Sequence, residues 1–470
     1  MSLSAALNAA RSGLSVTSRW AQTTSNNIAN ANNASYARRD PTIVSGHSGG
    51  VTISEITQAV NTSLDSMYRL EVSRTATQDA IATGLSLYTA QLGDTGSDVT
   101  LLTQLTDFQN ALGLMAASPT DSSLQRAALT DAQELTLSLN LASNSLIDAR
   151  EQALSSAQND ITSINTTLAD LAKMNEKLAS GKLSEGQKLA LGDEITAKLD
   201  SLAEKMDFTM RTDAKGRMEI FTTGGTALLL GETAETISFD AETGVLSAGA
   251  VDITPGAAGA RGIGEGSLAG QITLYNDVIP EMSAQLDEVA KGLISVFETS
   301  DVSLAPGEAG LFTDAGAALS DPVAAGLAAR IAVNSALVPD EGGAVWRFRD
   351  GVGATVQGES NDASQLNAFV DAMAGKTSFD ARLGLADSAT LADYMASLIA
   401  SQNTTRANAE TGAETSAAAA LTVQETRLGF MGVNVDDELQ QLVAIEQAYS
   451  ANAQVMTTVM SMLDTLLDSF

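Results

Sequence analysis

Residues 435–470 read VDDELQQLVAIEQAYSANAQVMTTVMSMLDTLLDSF, and one apolar stripe runs through them at heptad spacing. Val435, Leu442, Tyr449, Met456, Leu463 and Phe470 recur every seventh residue, with Leu439, Glu446, Ala453, Met460 and Leu467 at the second seam position. The other end of the chain carries a matching seam: Leu7, Leu14, Ala21 and Ile28, with Leu3, Ala10, Thr17, Thr24 and Ala31 between them. Such a stripe is too narrow for a globular core and suits a coiled-coil partner. Ordering a residue costs about 1–2 kcal/mol of backbone entropy, which a lone helix with an uncovered stripe does not recover. Each end therefore needs a partner helix, either the other end or a neighbouring subunit.

Working outward from those ends, composition limits what lies between them. A chain of 470 residues with 44% hydrophobic content can form two or three cored domains. Aromatic residues make up only 4%, and the Ala, Leu, Thr and Ser that replace them suit slim helices. Fifty-seven acidic against 26 basic residues give a net charge of −31, which argues against nucleic acid or an anionic membrane as partner, since both need Lys and Arg opposite phosphate. Cysteine is absent, which removes disulfides, thiolate metal sites and a cysteine nucleophile. Polar residues interrupt the first thirty positions, so neither a cleaved signal peptide nor a membrane span is expected there.

Helical periodicity covers residues 1–33 and ends in the run Asn26, Asn27, Asn30, Asn32, Asn33. Residues 36–50 hold Pro41 and a Gly-rich run and read as a loop. Helix is expected from Ile56 to Met206, with breaks at 93–97 and at Ser118-Pro119, where Ser118 would cap the next helix. Short β-prone segments follow at 208–211, 218–222, 227–230 and 237–239, divided by turn signals. Helix resumes at 267–297. Residues 300–358 are hard to read, with a helical patch at 324–331 and a strand at 344–348. Helix is favoured from 361 to 428, and Asn434 with Asp437 three residues on resembles a cap and acidic third position. The expected fold is thus mainly α, a long helical bundle with coiled-coil termini plus one small inserted β domain. Residues 1–40 would pair with 432–470, residues 41–206 and 266–431 would form a composite helical domain, and 207–265 the β domain.

The chain leads out from one seam and returns to the other, so the ends are expected to pair antiparallel. Residues 1–39 contain four Arg and no acid, whereas 432–470 contain six acids and no Lys or Arg. Antiparallel pairing would set Arg38 and Arg39 against Asp436, Asp437 and Glu438, and Arg11 near Asp464 and Asp468. Exposed pairs contribute only about 0.2–1 kcal/mol each, enough to select register. Three acids at a helix start also suit its dipole. Asn27 and Asn32 flank the seam and could bond across it or simply end the helix.

Catalytic signatures fail on inspection. Gly46-His47-Ser48-Gly49-Gly50 fits a nucleophile-elbow pattern, but His47 is the sole histidine and adjoins Ser48, so folding cannot bring a separate base to the hydroxyl. Gly375-Lys376-Thr377 lacks the first glycine of a phosphate loop, and Gly262, Gly264 and Gly266 fall short of a dinucleotide fingerprint. One His, no Cys and no calcium-loop spacing leave no metal site. No catalytic residue, cofactor or metal is expected, and the chain reads as non-enzymatic.

The run Thr24-Ser25-Asn26-Asn27-Ile28-Ala29-Asn30-Ala31-Asn32-Asn33-Ala34-Ser35-Tyr36-Ala37-Arg38 is similar to the N-terminal signature of the bacterial flagellar rod, hook and hook-associated proteins. Residues 432–438 (GVNVDDE) and 446–455 (EQAYSANAQV) resemble the matching C-terminal signature. A long helical stretch before any strand is similar to the hook-associated junction branch of that superfamily. The resemblance implies a structural junction linking hook to filament, assembled by its terminal helices into an axial ring. It further implies the hook protein, a second hook-associated junction protein and a cytoplasmic export chaperone on the C-terminal helix as partners. Location would be the extracellular flagellum, reached through the flagellar type III apparatus. A hook or rod component is the alternative, favoured if β structure began soon after residue 50.

Overall fold

The computed structural model describes residues 3–33, 36–46, 49–93 and 100–468. Phe470 of the seam, Ala34 and Ser35 of the signature, and His47 and Ser48 lie outside the described residues. Helix α1 (Leu3–Ala29) leads into an antiparallel hairpin of β1 (Arg39–Ser45) and β2 (Val51–Gln58). The loop expected here, and the helix expected from 56, are therefore corrected. Residues 51–56 extend rather than coil, Ile53 is buried under the hairpin while Ser54 and Glu55 face out, and Gly46 donates to the Gly50 carbonyl to close the turn. Helix α2 (Thr62–Leu92) starts only at Asn61, whose side chain accepts from the Ser63 and Leu64 amides.

Helices α3 (Leu101–Ala117), α4 (Ser122–Ala179) and α5 (Glu185–Lys205) follow. The cap of α4 is Asp121, which accepts from the Ser123 amide at 2.8 Å. Ser118 instead ends α3, leaving Pro119 in the turn between them. At 58 residues, α4 is roughly 87 Å long and spans both cores of the molecule.

The β segment contains a four-stranded antiparallel sheet, β3 (Phe208–Thr212), β4 (Met218–Thr222), β5 (Ala227–Leu230) and β6 (Thr233–Ala234), and a three-stranded one, β7 (Ile237–Asp240), β8 (Val245–Ala248) and β9 (Val251–Asp252). Their inner faces pack Ile220, Leu229, Ile237 and Leu246 onto the distal half of α4, α5 and α6 (Ser267–Thr273). Two asparagines on α4 bind strand backbone directly: Asn165 bridges the amide and carbonyl of Ile237, and Asn175 those of Met218.

A π-helical turn at Leu274–Val278 joins α6 to α7 (Ile279–Ser300), and β10 (Phe312–Asp314) pairs with β11 (Ile331–Val333). The helix expected at 324–331 is only a short 3-10 turn before β11, because Asp287 of α7 accepts from the Gly326 and Ala328 amides while Asn140 of α4 donates to the carbonyls of Ala328 and Ile331. Those bonds take the backbone groups a helix would use. The strand expected at 344–348 is a turn into the short helix α8 (Arg347–Asp350). Then come α9 (Ser364–Ala374), a small pair β12 (Thr377–Ser378) and β13 (Ser388–Ala389), α10 (Leu391–Met431) and α11 (Val435–Leu467). Asn434 caps α11, accepting from the Asp436 amide.

The larger core gathers α2, α3, the proximal half of α4, α7, α9 and the start of α10 around Phe108, Phe297, Phe312 and Phe369. From it α2 and α10 run antiparallel toward the chain ends, with Tyr88 bonded to Gln402, Gly412 against Gln78 and Arg427 paired with Asp65.

Candidate assembly interface of the terminal helices

Helices α1 and α11 pair antiparallel within the one chain. Two contacts fix their register and are equally spaced along both helices. At the first, Gly13 lies under Asn452, so closely that an added Cβ would sit 2.7 Å from the carboxamide carbon. At the second, Asn27 donates to Glu438 Oε1 at 3.0 Å. The buried line on α1 is Ala10, Gly13, Val16, Thr17, Thr23, Thr24 and Asn27, and on α11 it is Glu438, Ile445 and Val459. Small side chains on α1 let the two backbones approach.

The seam residues read from the sequence fall on and beside this line. Ala10 is buried, and Leu3, Leu7, Leu14, Ala21 and Ile28 are half-buried. On α11, Leu442, Met456 and Leu463 are half-buried, whereas Val435, Leu439, Tyr449, Met460 and Leu467 are exposed by 40% to 73%. Helix α1 therefore covers one strip of α11, and the adjoining apolar strip faces solvent together with Val443.

The charge register differs from the expected one. Arg39 pairs with Asp193 of α5 at 2.7 Å, and Arg38 with Asp40 at 3.2 Å. Arg11, Asp436, Asp437 and Asp464 are exposed and form no ion pair among the described residues. Of the expected acids only Glu438 enters the joint, and its partner is the amide of Asn27. The hairpin intervenes here: it lies along α1 and brings Arg39 to α5 before that arginine can reach the start of α11.

The joint is built around Asn27. Its amide also donates to the Arg39 carbonyl, and its oxygen accepts from the Tyr36 hydroxyl at 2.8 Å and from the Arg39 amide. Burial pushes the Tyr36 phenol above its usual range, with Arg39 opposing, and the Arg39 guanidinium stacks on the Tyr36 ring. Asp193 also accepts from Gln58 of β2 at 2.7 Å, and burial raises its carboxyl against the pull of Arg39. Glu185, in the first turn of α5, accepts from the Ile56 amide and pairs with Arg19. Val51 donates to the Ser12 hydroxyl, and Gly50, at φ +84°, passes so near Ala9 and Ser12 that only glycine fits. Nearby, the Arg38 amide donates to the Met431 carbonyl at the end of α10.

A second polar node ties α2, α5 and α10. Arg427 is buried, pairs with Asp65 at 2.6 Å and Asp200 at 2.9 Å, and stacks on Tyr68, while Asp200 also pairs with Arg69 at 2.7 Å. Of these groups and their counterparts in the joint, Asp193, Glu185, Asp65, Asp200 and Arg427 carried no signal in the sequence, because each meets a partner far along the chain. No cluster of metal-ligating side chains occurs among the described residues.

Comparison with known proteins agrees with this architecture. Residues 90–302 match the family described as the flagellar hook-associated protein FlgK helical domain, and residues 424–469 match the flagellar basal body rod FlgEFG protein C-terminal family. The chain is similar to flagellar hook-associated protein 1 of Bacillus subtilis (strain 168), 23% identical over 98% of this chain and 97% of that one. It is 22% identical to flagellar hook-associated protein 1 of Escherichia coli (strain K12), over 99% of this chain and 100% of that one. A solved structure of the flagellar hook junction protein FlgK from Burkholderia pseudomallei aligns with 55% of this chain and 46% of its own at 18% identity, with a TM-score of 0.43. A matched helical segment, a matched terminal helix and two relatives aligned over nearly their whole length make the chain similar to flagellar hook-associated protein 1 from end to end.

Proposed function

We propose that this chain is a non-enzymatic junction protein of the bacterial flagellum, joining hook to filament by packing its terminal helices against those of further copies around a common axis. The observation that carries this reading is the apolar strip of α11 left in solvent after α1 has covered the strip beside it. An exposed run of Val435, Leu439, Tyr449, Met460 and Leu467 on one helix is the kind of patch that marks a protein contact. A partner helix with small residues on its contact line, such as α1 of a neighbour, would cover it.

In this reading residues 1–40 and 432–470 form the axial module, residues 41–206 with 266–431 the helical body, and 207–265 an outward β domain. The hook protein would sit on one side of the ring and a second hook-associated junction protein on the other. Before assembly an export chaperone would cover the strip on α11, and export would proceed through the flagellar type III apparatus. The hook or rod alternative drew on early β structure. The hairpin at 39–58 is such structure, but the chain returns at Thr62 to helices, α2 to α5, of which the last ends at Lys205, and the match over 90–302 favours the junction. Deleting residues 439–470 tests the proposal: cells should still build hooks yet shed filament subunits into the medium, whereas intact filaments would refute it.

A further inference from the structure

Glu438 is the one acid of α11 drawn inside the terminal joint; Asp436, Asp437, Glu446, Asp464 and Asp468 are all exposed. It is 1% exposed. One carboxylate oxygen accepts from Asn27 and the other is buried with no hydrogen-bond partner.

The groups around it give an ionised carboxylate little support. Helix α1 presents Asn27 and the Thr24 hydroxyl; the linker presents Tyr36, committed to Asn27, and Arg38, committed to Asp40. The hairpin presents Asp40 itself, a like charge. Helix α5 presents Asp193, which holds Arg39, and the first turn of α11 adds Asp436 and Asp437. Both nearby cations are thus engaged by other carboxylates. Adding a proton to Glu438 would remove a buried charge and the deficit of its unpartnered oxygen together.

We propose that Glu438 is a proton-sensitive latch on the terminal helices: protonated, it closes α11 onto α1, and ionised, it loosens the pair so that the ends can be given up to other helices. Burial raises the carboxyl above its ordinary value and the Asp40 charge adds to the rise, while the Asn27 bond, the Arg38 charge and the Thr24 hydroxyl oppose it. A folded-state value above the unfolded one makes the stabilisation complete at pH below the unfolded value and lost as pH rises through the folded one. The pair is therefore tighter in acid than at neutrality. The inference concerns the single chain and stands apart from the junction reading.

Hydrogen exchange of the full chain at about pH 5 and about pH 7.5, corrected for intrinsic rates, tests it; both lie above the sequence pI of 4.2. The amides of residues 438–460 should be less protected at the higher pH, on the order of tenfold, and Glu438→Gln should abolish that difference while leaving α7 unchanged. The raised carboxyl of Asp193 would report in residues 39–58 and survive the substitution. A wild-type chain with no pH effect in 438–460, or a Glu438→Gln chain that keeps it, overturns the proposal. Should Glu438→Gln also lose protection in α7, Asp40→Asn decides: a smaller pH effect supports the latch, and an unchanged one overturns it.

Discussion

Arg427→Met isolates what holds the long α2/α10 pair together beyond the core. Between residue 403 and its end, α10 buries only Ala409, Ala420, Arg427 and Met431, so apolar packing there is thin and the Arg427 node dominates. Methionine keeps the bulk of the stem but removes both ion pairs and the stack on Tyr68. Asp200 retains Arg69 at 2.7 Å, whereas Asp65, 14% exposed, loses its partner. Removing one member of a buried pair costs about 3–5 kcal/mol; the remaining exposure and the surviving Arg69 bring the expected cost to about 2–3 kcal/mol. Amide exchange in residues 415–431 should then accelerate about 30- to 150-fold, while residues 391–402, inside the core, stay unchanged. Adding Asp65→Asn removes the stranded charge and should restore about 1 kcal/mol. Exchange in 415–431 that changes by less than about threefold, or a double variant that is additively worse, would refute the reasoning.

Gly270→Val should be severe, because a Cβ on Gly270 would lie 2.6 Å from the Thr77 carbonyl oxygen and 2.9 Å from the Ala80 methyl; forcing α6 off α2 should cost about 1–3 kcal/mol, seen as a lower calorimetric Tm. Gly13→Val meets only the carboxamide end of Asn452, which can swing aside, so it should loosen α1 from α11 in exchange experiments and leave the Tm of the body unaltered. Ile445→Ala deletes a buried side chain from the line facing α1 and should cost about 2–3 kcal/mol of local stability, read as faster exchange in both terminal helices.

Local signals carried most of the helices and four strands of the β segment, because heptad spacing, caps and turn residues act within a few positions. The hairpin at 39–58 left a weaker trace, the apolar Val51 and Ile53 after a Gly-rich turn, which Pro41 and the glycines masked as a loop. Residues 300–358 were illegible for a different reason. Their backbone is held by side chains from distant helices, with Asp287 and Asn140 on the turn at 326–331 and Gln365 on the Ser300 carbonyl, and such bonds leave no periodicity in the segment itself. At the interface, spacing located both terminal helices, but counting large apolar residues picked a line beside the buried one. Of the small residues on the closest approach, Ala10 and Thr17 stood at seam positions of the heptad, whereas Gly13, which lies under Asn452, offers a hydrophobic count no side chain. Asn27 was visible as a flanking polar residue, while its partnership with Glu438 depended on a hairpin that diverts Arg39 to Asp193.

The central claim is that the solvent-facing strip of α11 is completed by other copies of the chain. Leu439→Ser, Met460→Ser and Leu467→Ser, combined in one chain, test it most directly, since these side chains are 47%, 52% and 73% exposed and contribute little to the isolated subunit. The measurement is complementation in a flagellated host lacking its own copy, alongside hydrogen exchange of the purified variant. The account predicts unchanged protection in α1 and α11, hooks without filaments, and filament subunits in the medium. Normal filaments on cells carrying that variant would contradict it.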